Sequence, residues 1–215
     1  MRAPEFDATD LEAGPELVPL ESAAPGYWFV SSHTTAQHRM ERRGTLSVYR
    51  SEGAELVGSS MQELQSSLVP GVPICLFVHG SFTGWRRQLR DAPQSNQWIR
   101  DACPGRPLQV IFFSWPSAEP YTQIFPLDLT VRAHRAEFNG FHLAQVIALC
   151  PPQSPICLIG HSHGSRTVLA AAHLLGGGMV EGMASPHAAA SRQPIRVVLM
   201  AAAVDHTWLN PNRRY

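Results

Sequence analysis

Two short polar stretches follow apolar runs and contain residue types suited to acyl-transfer chemistry. The first is Gly-His-Ser-His-Gly at residues 160–164, with Ser162 at its centre. A serine on a sharp turn between a strand and a helix can act as a nucleophile, and flanking glycines remove the collisions that side chains would make there. The second is His-Gly-Ser at residues 79–81, where a backbone N–H could stabilise a developing oxyanion.

Main-chain N–H groups supply the oxyanion hole in this interpretation. We assign one donor to Ser81, with Gly80 permitting close approach, and the other to His163, the residue after the nucleophile. Four residues are expected to line the pocket, namely His79, Gly80, His161 and His206. The alternative interpretation is a pair of ordinary glycine-rich strand-to-helix turns in which the serine and the histidine are incidental.

The elements that would position these residues alternate along the chain. Apolar runs predict strands at residues 27–32, 45–50, 74–78, 108–113, 155–159 and 196–204. Helical patterns occupy residues 60–68, 86–102, 127–150 and 167–175, the second of them interrupted at Pro93. A mobile surface loop is expected at residues 176–194. Because strands and helices alternate, the sequence predicts an α/β three-layer sandwich with a mostly parallel central sheet.

The sixth predicted strand leads into two further candidate residues. Asp205 and His206 directly follow it, and open parallel sheets bind ligands at the carboxyl ends of their strands. Asp205 is therefore a candidate catalytic acid and His206 a candidate base. The alternative for Asp205 is a polar strand end that only shapes the pocket.

Four segments in this order resemble the alpha/beta hydrolase superfamily. They are Phe-Val-His-Gly at 77–80, Phe-Phe-Ser-Trp-Pro-Ser at 112–117, Gly-His-Ser-His-Gly at 160–164 and Ala-Ala-Val-Asp at 202–205. The chain is most similar to an uncharacterised bacterial esterase/lipase-like branch that has Ser-Trp-Pro-Ser after the fourth strand. The resemblance covers about residues 27–210. It implies the strand order 1-2-4-3-5-6, Ser162 as nucleophile, and a small ester or related acyl compound as substrate.

The arrangement of histidines departs from that superfamily. Its catalytic triad runs serine, acid, histidine along the chain, whereas the histidines after Ser162 are His163, His173, His187 and His206. None follows a further predicted strand, and an apolar final strand would leave an open sheet edge. We therefore expect a fragment or a truncated product with weak turnover. The triad acid is then Asp205 or a residue beyond the end, and a non-catalytic binding or scaffold module is the alternative function.

Composition bounds the remaining possibilities. The chain has 215 residues, 44% of them hydrophobic, which favours a single hydrolase-like domain over residues 26–215 after a loose leader at residues 1–25. A formal net charge of zero argues against nucleic acid or an anionic membrane surface as partner. The sequence contains neither an apolar leader nor a run long enough to span a membrane, so we expect a cytoplasmic protein.

Neither a metal nor another cofactor is predicted. The four cysteines lack metal-ligand spacing, and Cys75 and Cys157 lie within apolar strand runs, as small buried hydrophobic residues often do. A metal site formed by His79, His161 and His163 is a further alternative. It is disfavoured because the last two flank a serine and cannot easily converge.

Overall fold

The structure is a computed structural model that describes residues 26–33, 46–53, 55–118, 122–188, 193–208 and 210. The predicted leader at residues 1–25 lies outside them. The strands are β1 (Trp28–Ser31), β2 (Ser47–Glu52), β3 (Glu55–Ser59), β4 (Ile74–Val78), β5 (Gln109–Ser114), β6 (Ile156–His161), β7 (Met179–Val180), β8 (Met183–Ala184) and β9 (Ile195–Met200). The helices are α1 (Met61–Ser67), α2 (Trp85–Asp101), α3 (Phe125–Ala148) and α4 (Gly164–Leu175).

Within the described residues, seven strands form the central sheet in the order β3-β2-β1-β5-β4-β6-β9. Five of them, β1, β5, β4, β6 and β9, are parallel, while β2 and β3 pair antiparallel. The prediction of an α/β fold with a mostly parallel sheet is therefore confirmed. The strand order implied by the resemblance differs, because β1 rather than β2 pairs with β5, with Trp28 opposite Ile111.

Helices cover both faces of the sheet. On one face, α1, α3 and α4 pack against a core that includes the fully buried Leu76, Ile111 and Leu158. On the other face, α2 packs against a smaller core that contains Phe29 and Phe112. Successive side chains of a strand point to opposite faces, so the continuous apolar runs of β4 and β5 serve both cores. None of the described helices is long and apolar enough to cross a membrane.

Two predicted elements are wrong in detail. Helix α2 continues through Pro93 without interruption, because a proline inside a helix removes one donor and the flanking turns can remain paired. The predicted loop at 176–194 contains the short hairpin of β7 and β8, whose turn residues Glu181 and Gly182 have φ of 50° and 71°. Positive φ at both central positions is typical of a tight hairpin turn. Residues 189–192 of that loop lie outside the described residues.

Candidate active site

Ser162 lies on a sharp turn between β6 and α4. Its φ is 52°, a left-handed conformation that is costly for a residue with a β-carbon and is found at functional sites. Its backbone is fixed by the segment that ends the sheet, since the Ser162 N–H donates to Met200 O at 2.9 Å and the Ala203 N–H donates to Ser162 O at 3.1 Å. The predicted strand, turn and helix around Ser162 are thus present.

Three glycines allow the close packing around this turn. A β-carbon on Gly160 would lie 2.7 Å from Ser165 Cα, and one on Gly164 would lie 2.4 Å from Val78 O, which joins α4 closely to β4. A β-carbon on Gly80 would lie 2.9 Å from Ser162 Cβ. Gly80, the residue before Ser81, therefore packs directly against the Ser162 side chain.

The groups assigned to oxyanion binding are available for a ligand. Neither the Ser81 N–H nor the His163 N–H donates to another group in the described part of the chain. The Ser162 hydroxyl likewise has no hydrogen-bond partner among these residues, and the residue is half-buried. The loop after β4 is held in place by a bond from the Phe82 N–H to Ser117 O at 2.9 Å. The structure therefore brings the Ser162 hydroxyl and two backbone amides that have no acceptor among the described residues to the same edge of the sheet.

His79, at the start of this loop, is buried, and both of its ring nitrogens make hydrogen bonds. The ring Nδ1 lies 2.7 Å from Gly80 O, and Nε2 lies 3.1 Å from the Trp115 backbone nitrogen, whose N–H donates to it. The Trp115 indole N–H returns a bond to His79 O at 3.0 Å. This pattern requires a neutral imidazole with its proton on Nδ1. His79 was predicted to line the pocket, and the structure uses it to link the ends of β4 and β5.

The burial of His79 predicts that acid destabilises the fold. Burial lowers the pKa of His79 to about 3, against the opposing effect of its bond to Gly80, whereas an unfolded histidine titrates near 6.5. The unfolded chain then binds more protons between these values, so this contribution to stability is complete above about pH 6.5 and is lost as the pH falls. The expected loss is up to about 1.4 kcal/mol per pH unit.

Urea unfolding at several pH values between 7 and 5 measures this slope. His79→Gln can keep both hydrogen bonds without titrating, so its free energy of unfolding should fall less steeply than that of the wild-type chain. A residual slope of the same sign is expected in the variant, because burial also lowers the pKa values of His33, His142 and His163. Equal slopes in the two proteins would contradict the assignment to His79.

Among the described residues, neither Asp205 nor His206 makes a hydrogen bond to Ser162. Strand β9 ends at Met200 rather than at residue 204, because the chain turns at Ala201, whose φ is 43°, and the next residues bond back to Ser162. Asp205 Oδ1 accepts bonds from the N–H and hydroxyl of Thr207 at 2.8 and 2.7 Å. The His206 side chain is 92% exposed, with Nδ1 3.6 Å from Asp205 Oδ1.

The two histidines beside the serine also make no hydrogen bond to its hydroxyl. His161 is exposed, and its Nδ1 would lie 2.9 Å from a β-carbon on Gly80. His163 is half-buried, and burial, followed by the charges of Arg166 and Arg132, lowers its pKa below the ordinary value. The described residues therefore contain no assembled serine–histidine–acid triad.

Sequence reasoning missed a buried ion pair that supports the turn. Arg166 on α4 donates to the Glu137 carboxylate on α3 at 2.7 Å and to Ala203 O at 2.6 Å. Its guanidinium also lies 4.4 Å from the ring centroid of Trp208. Arg166 thereby connects two helices to the segment after β9. No local pattern joins residues so far apart in sequence.

A second buried pair, Arg132 with Asp128, lies on the other side of the site. Arg132 is fully buried, bonds to the Asp128 carboxylate and to Ser117 O, and lies 4.2 Å from the ring centroid of Phe82. These contacts join α3 to the loop after β4, which contains Phe82. The sequence did contain a signal for this ion pair, because Asp128 and Arg132 are four residues apart in a predicted helix, a spacing that brings two side chains together.

No cluster of three or more histidine, cysteine or acidic side chains that could hold a metal occurs among the residues the structure describes. Comparison with protein-family models, with curated proteins and with solved structures finds no match to this chain. Its function is therefore inferred from the geometry of the site alone.

Proposed function

We propose that this protein is a serine hydrolase that cleaves carboxylic esters or related acyl compounds through Ser162. The observation that carries the proposal is the strained, half-buried Ser162 near two amides that have no acceptor among the described residues. The Ser162 oxygen attacks the acyl carbon and loses its proton to a base, while the N–H groups of Ser81 and His163 stabilise the oxyanion. The alcohol departs with a proton, and water then hydrolyses the acyl-serine.

An uncharged acyl group suits the charges near the site. The charges of Arg132 and Arg166 both act on His163, next to Ser162, and each guanidinium is paired with a buried carboxylate, on Asp128 and Glu137 respectively. Their charges are thereby largely compensated and offer little attraction to an anionic substrate. The half-exposed ring of Phe82 beside Ser81 adds an apolar contact. We therefore favour a neutral ester over a carboxylate or phosphate compound.

The expected turnover is slow because no described base bonds to the Ser162 hydroxyl. When a triad residue is removed from a serine hydrolase, the oxyanion hole and substrate binding still leave a rate about 10³–10⁴ times that in water. We expect Ser162-dependent hydrolysis of an activated ester in that range. A burst of product followed by slow release is also expected, since deacylation needs a base to activate water.

A non-catalytic binding or scaffold module is the second candidate function. The observation that favours it is that Asp205 accepts its hydrogen bonds from Thr207 and that the His206 side chain is exposed, so neither residue bonds to Ser162 in the described part of the chain. In that case the tight turn serves only to pack α4 against β4. A scaffold does not require two uncommitted amides beside an accessible serine, so we prefer the hydrolase.

Hydrolysis of p-nitrophenyl acetate by the full chain tests the proposal. Ser162→Ala should lose the burst and the enzymatic rate, whereas the matched control Ser66→Ala, an exposed helix position, should match the wild-type chain. Equal rates in wild type and Ser162→Ala would refute the hydrolase and favour the module. A rate typical of a complete triad would support the hydrolase but contradict the expectation of slow turnover.

A further inference from the structure

Two cysteines lie directly opposite each other on neighbouring parallel strands. In the register of β4 and β6, Cys75 is paired with Cys157, and paired residues project from the same face of a sheet. Parallel strands are about 4.8 Å apart, which lies within the range of about 4.4–6.8 Å between the Cα atoms of a disulfide. Both thiols are free in the structure. The backbone geometry therefore permits a bond between them.

The two thiols have different surroundings. Cys75 is buried at 3% exposure, whereas Cys157 is half-buried and reachable. On its other side, Cys157 is paired with the exposed Arg196 of β9. The Cys75 side chain faces Cys157 from the neighbouring position on β4. A neighbouring donor and a cation stabilise a thiolate, and the thiolate is the reactive form of cysteine.

The pKa directions agree with this geometry. The bond from Cys75, followed by the charge of Arg196, lowers the pKa of Cys157 despite the opposing effect of burial. The bond to Cys157 and burial raise the pKa of Cys75, with smaller contributions from the charges of Cys157 and Cys103. Cys157 is thus the thiol that ionises first, and Cys75 keeps its proton.

We propose that Cys157 and Cys75 form a redox site that a hydroperoxide converts to a cross-strand disulfide. The Cys157 thiolate attacks the O–O bond, which breaks to give a sulfenic acid and, after protonation, an alcohol or water. The Cys75 sulfur then attacks the sulfenic sulfur, and its proton leaves with the hydroxyl group as water. The two thiols lose two electrons in total, and the hydroperoxide accepts them.

This disulfide should be readily reduced. Side chains that stand perpendicular to a sheet remain near the strand spacing, whereas the β-carbons of a relaxed disulfide are about 3.8 Å apart. Strained disulfides have more oxidising potentials and are the labile ones. We therefore expect reversible oxidation rather than a permanent cross-link.

The redox site is separate from the hydrolase site. Cys157 lies near the start of β6, and Ser162 follows the end of that strand, five residues later. Five residues of extended chain span about 16 Å. The proposal does not depend on catalysis by Ser162. Either function can be disproved without affecting the other.

Oxidation of the folded full chain with hydrogen peroxide tests the redox site. After alkylation of the remaining thiols and proteolysis, peptide mass mapping should find Cys75 linked to Cys157 and two of the four cysteines alkylated. Dithiothreitol should restore the other two. Cys150→Ala is the matched control, since Cys150 is buried and burial raises its pKa to about 12, and it should form the same disulfide.

Three variants identify the roles of the residues. Cys75→Ser should leave a sulfenic acid on Cys157 that dimedone traps, and Cys157→Ser should prevent any disulfide at Cys75. Arg196→Gln should slow alkylation of Cys157 several-fold at fixed pH, because the thiolate loses its neighbouring cation. Absence of the Cys75–Cys157 link in the oxidised wild-type chain, or a link from either residue to Cys103, would overturn the proposal whether or not the variants fold.

Discussion

A fluorophosphonate probe should label Ser162, and Ser162→Ala should abolish that labelling. The phosphoryl oxygen of the probe can occupy the proposed oxyanion position near the N–H groups of Ser81 and His163, which donate to no acceptor in the part of the chain that the structure describes. Fluoride departs without needing a proton from the protein, so the reaction depends less on a general base than ester hydrolysis does. Intact mass and peptide mapping of the full chain measure the stoichiometry and the modified residue.

Labelling should also require the folded site. In concentrated urea the turn is lost, and the wild-type chain should then react no faster than the Ser162→Ala variant. Ser66→Ala should react like the wild-type chain in native buffer. Modification of a different serine, or labelling that persists in urea, would show that the geometry around Ser162 does not activate it.

Gly164→Ala should have the largest effect on folding. The new β-carbon would lie 2.4 Å from Val78 O and 2.6 Å from His79 O. Both are backbone atoms in or beside a central strand and cannot rotate away, so α4 must separate from β4. Overpacking of this kind typically costs about 1–3 kcal/mol and occasionally more, and a clash with backbone should be at the upper end. Urea unfolding measures the loss.

Gly58→Ala is the matched control for that substitution. A β-carbon on Gly58 meets no atom within 4 Å, and the residue does not have positive φ. Its free energy of unfolding should stay within about 0.5 kcal/mol of the wild-type value. If both variants are equally stable, α4 does not approach β4 as closely as the structure shows. Gly164→Ala should also lose fluorophosphonate labelling, because Ser162 lies just before α4 and Ser81 just after β4, the two elements that separate.

The elements around Ser162 could be predicted because their signals are local. Apolar runs bounded by glycine and proline place β4 and β6, and the glycines at 160 and 164 indicate a close turn between a strand and a helix. The register of the sheet then follows from parallel pairing, which brings the loop after β4 beside Ser162. Short-range patterns thus predicted the strand, turn and helix around Ser162 and the loop beside it, while the catalytic roles assigned to these residues stay predictions.

The remaining features depend on contacts between distant residues. Strand β3 has only five residues and includes Gly58, so its own sequence is a weak signal, and it forms because β2 supplies a partner. The predicted end of β9, residue 204, lies beyond the observed end at Met200. The strand stops earlier because the hydrogen bond from Ala203 to Ser162 turns the chain away from the sheet. His79 is preceded by an apolar strand and followed by a glycine. Nothing in that pattern reveals that the Trp115 backbone N–H donates to its ring nitrogen Nε2.

The left-handed conformation of Ser162 depends on the assembled sheet, because the hydrogen bonds from Ser162 to Met200 and from Ala203 to Ser162 hold it. A peptide comprising only β6 and α4 would lack the partners that oppose relaxation of the serine to an ordinary backbone angle. Separation of β9 from the sheet should therefore allow Ser162 to leave its left-handed conformation before the central strands unfold, and should abolish the proposed reactivity of its hydroxyl. Amide hydrogen exchange at Ser162 and Ala203 would then report the opening that limits how long the site stays competent.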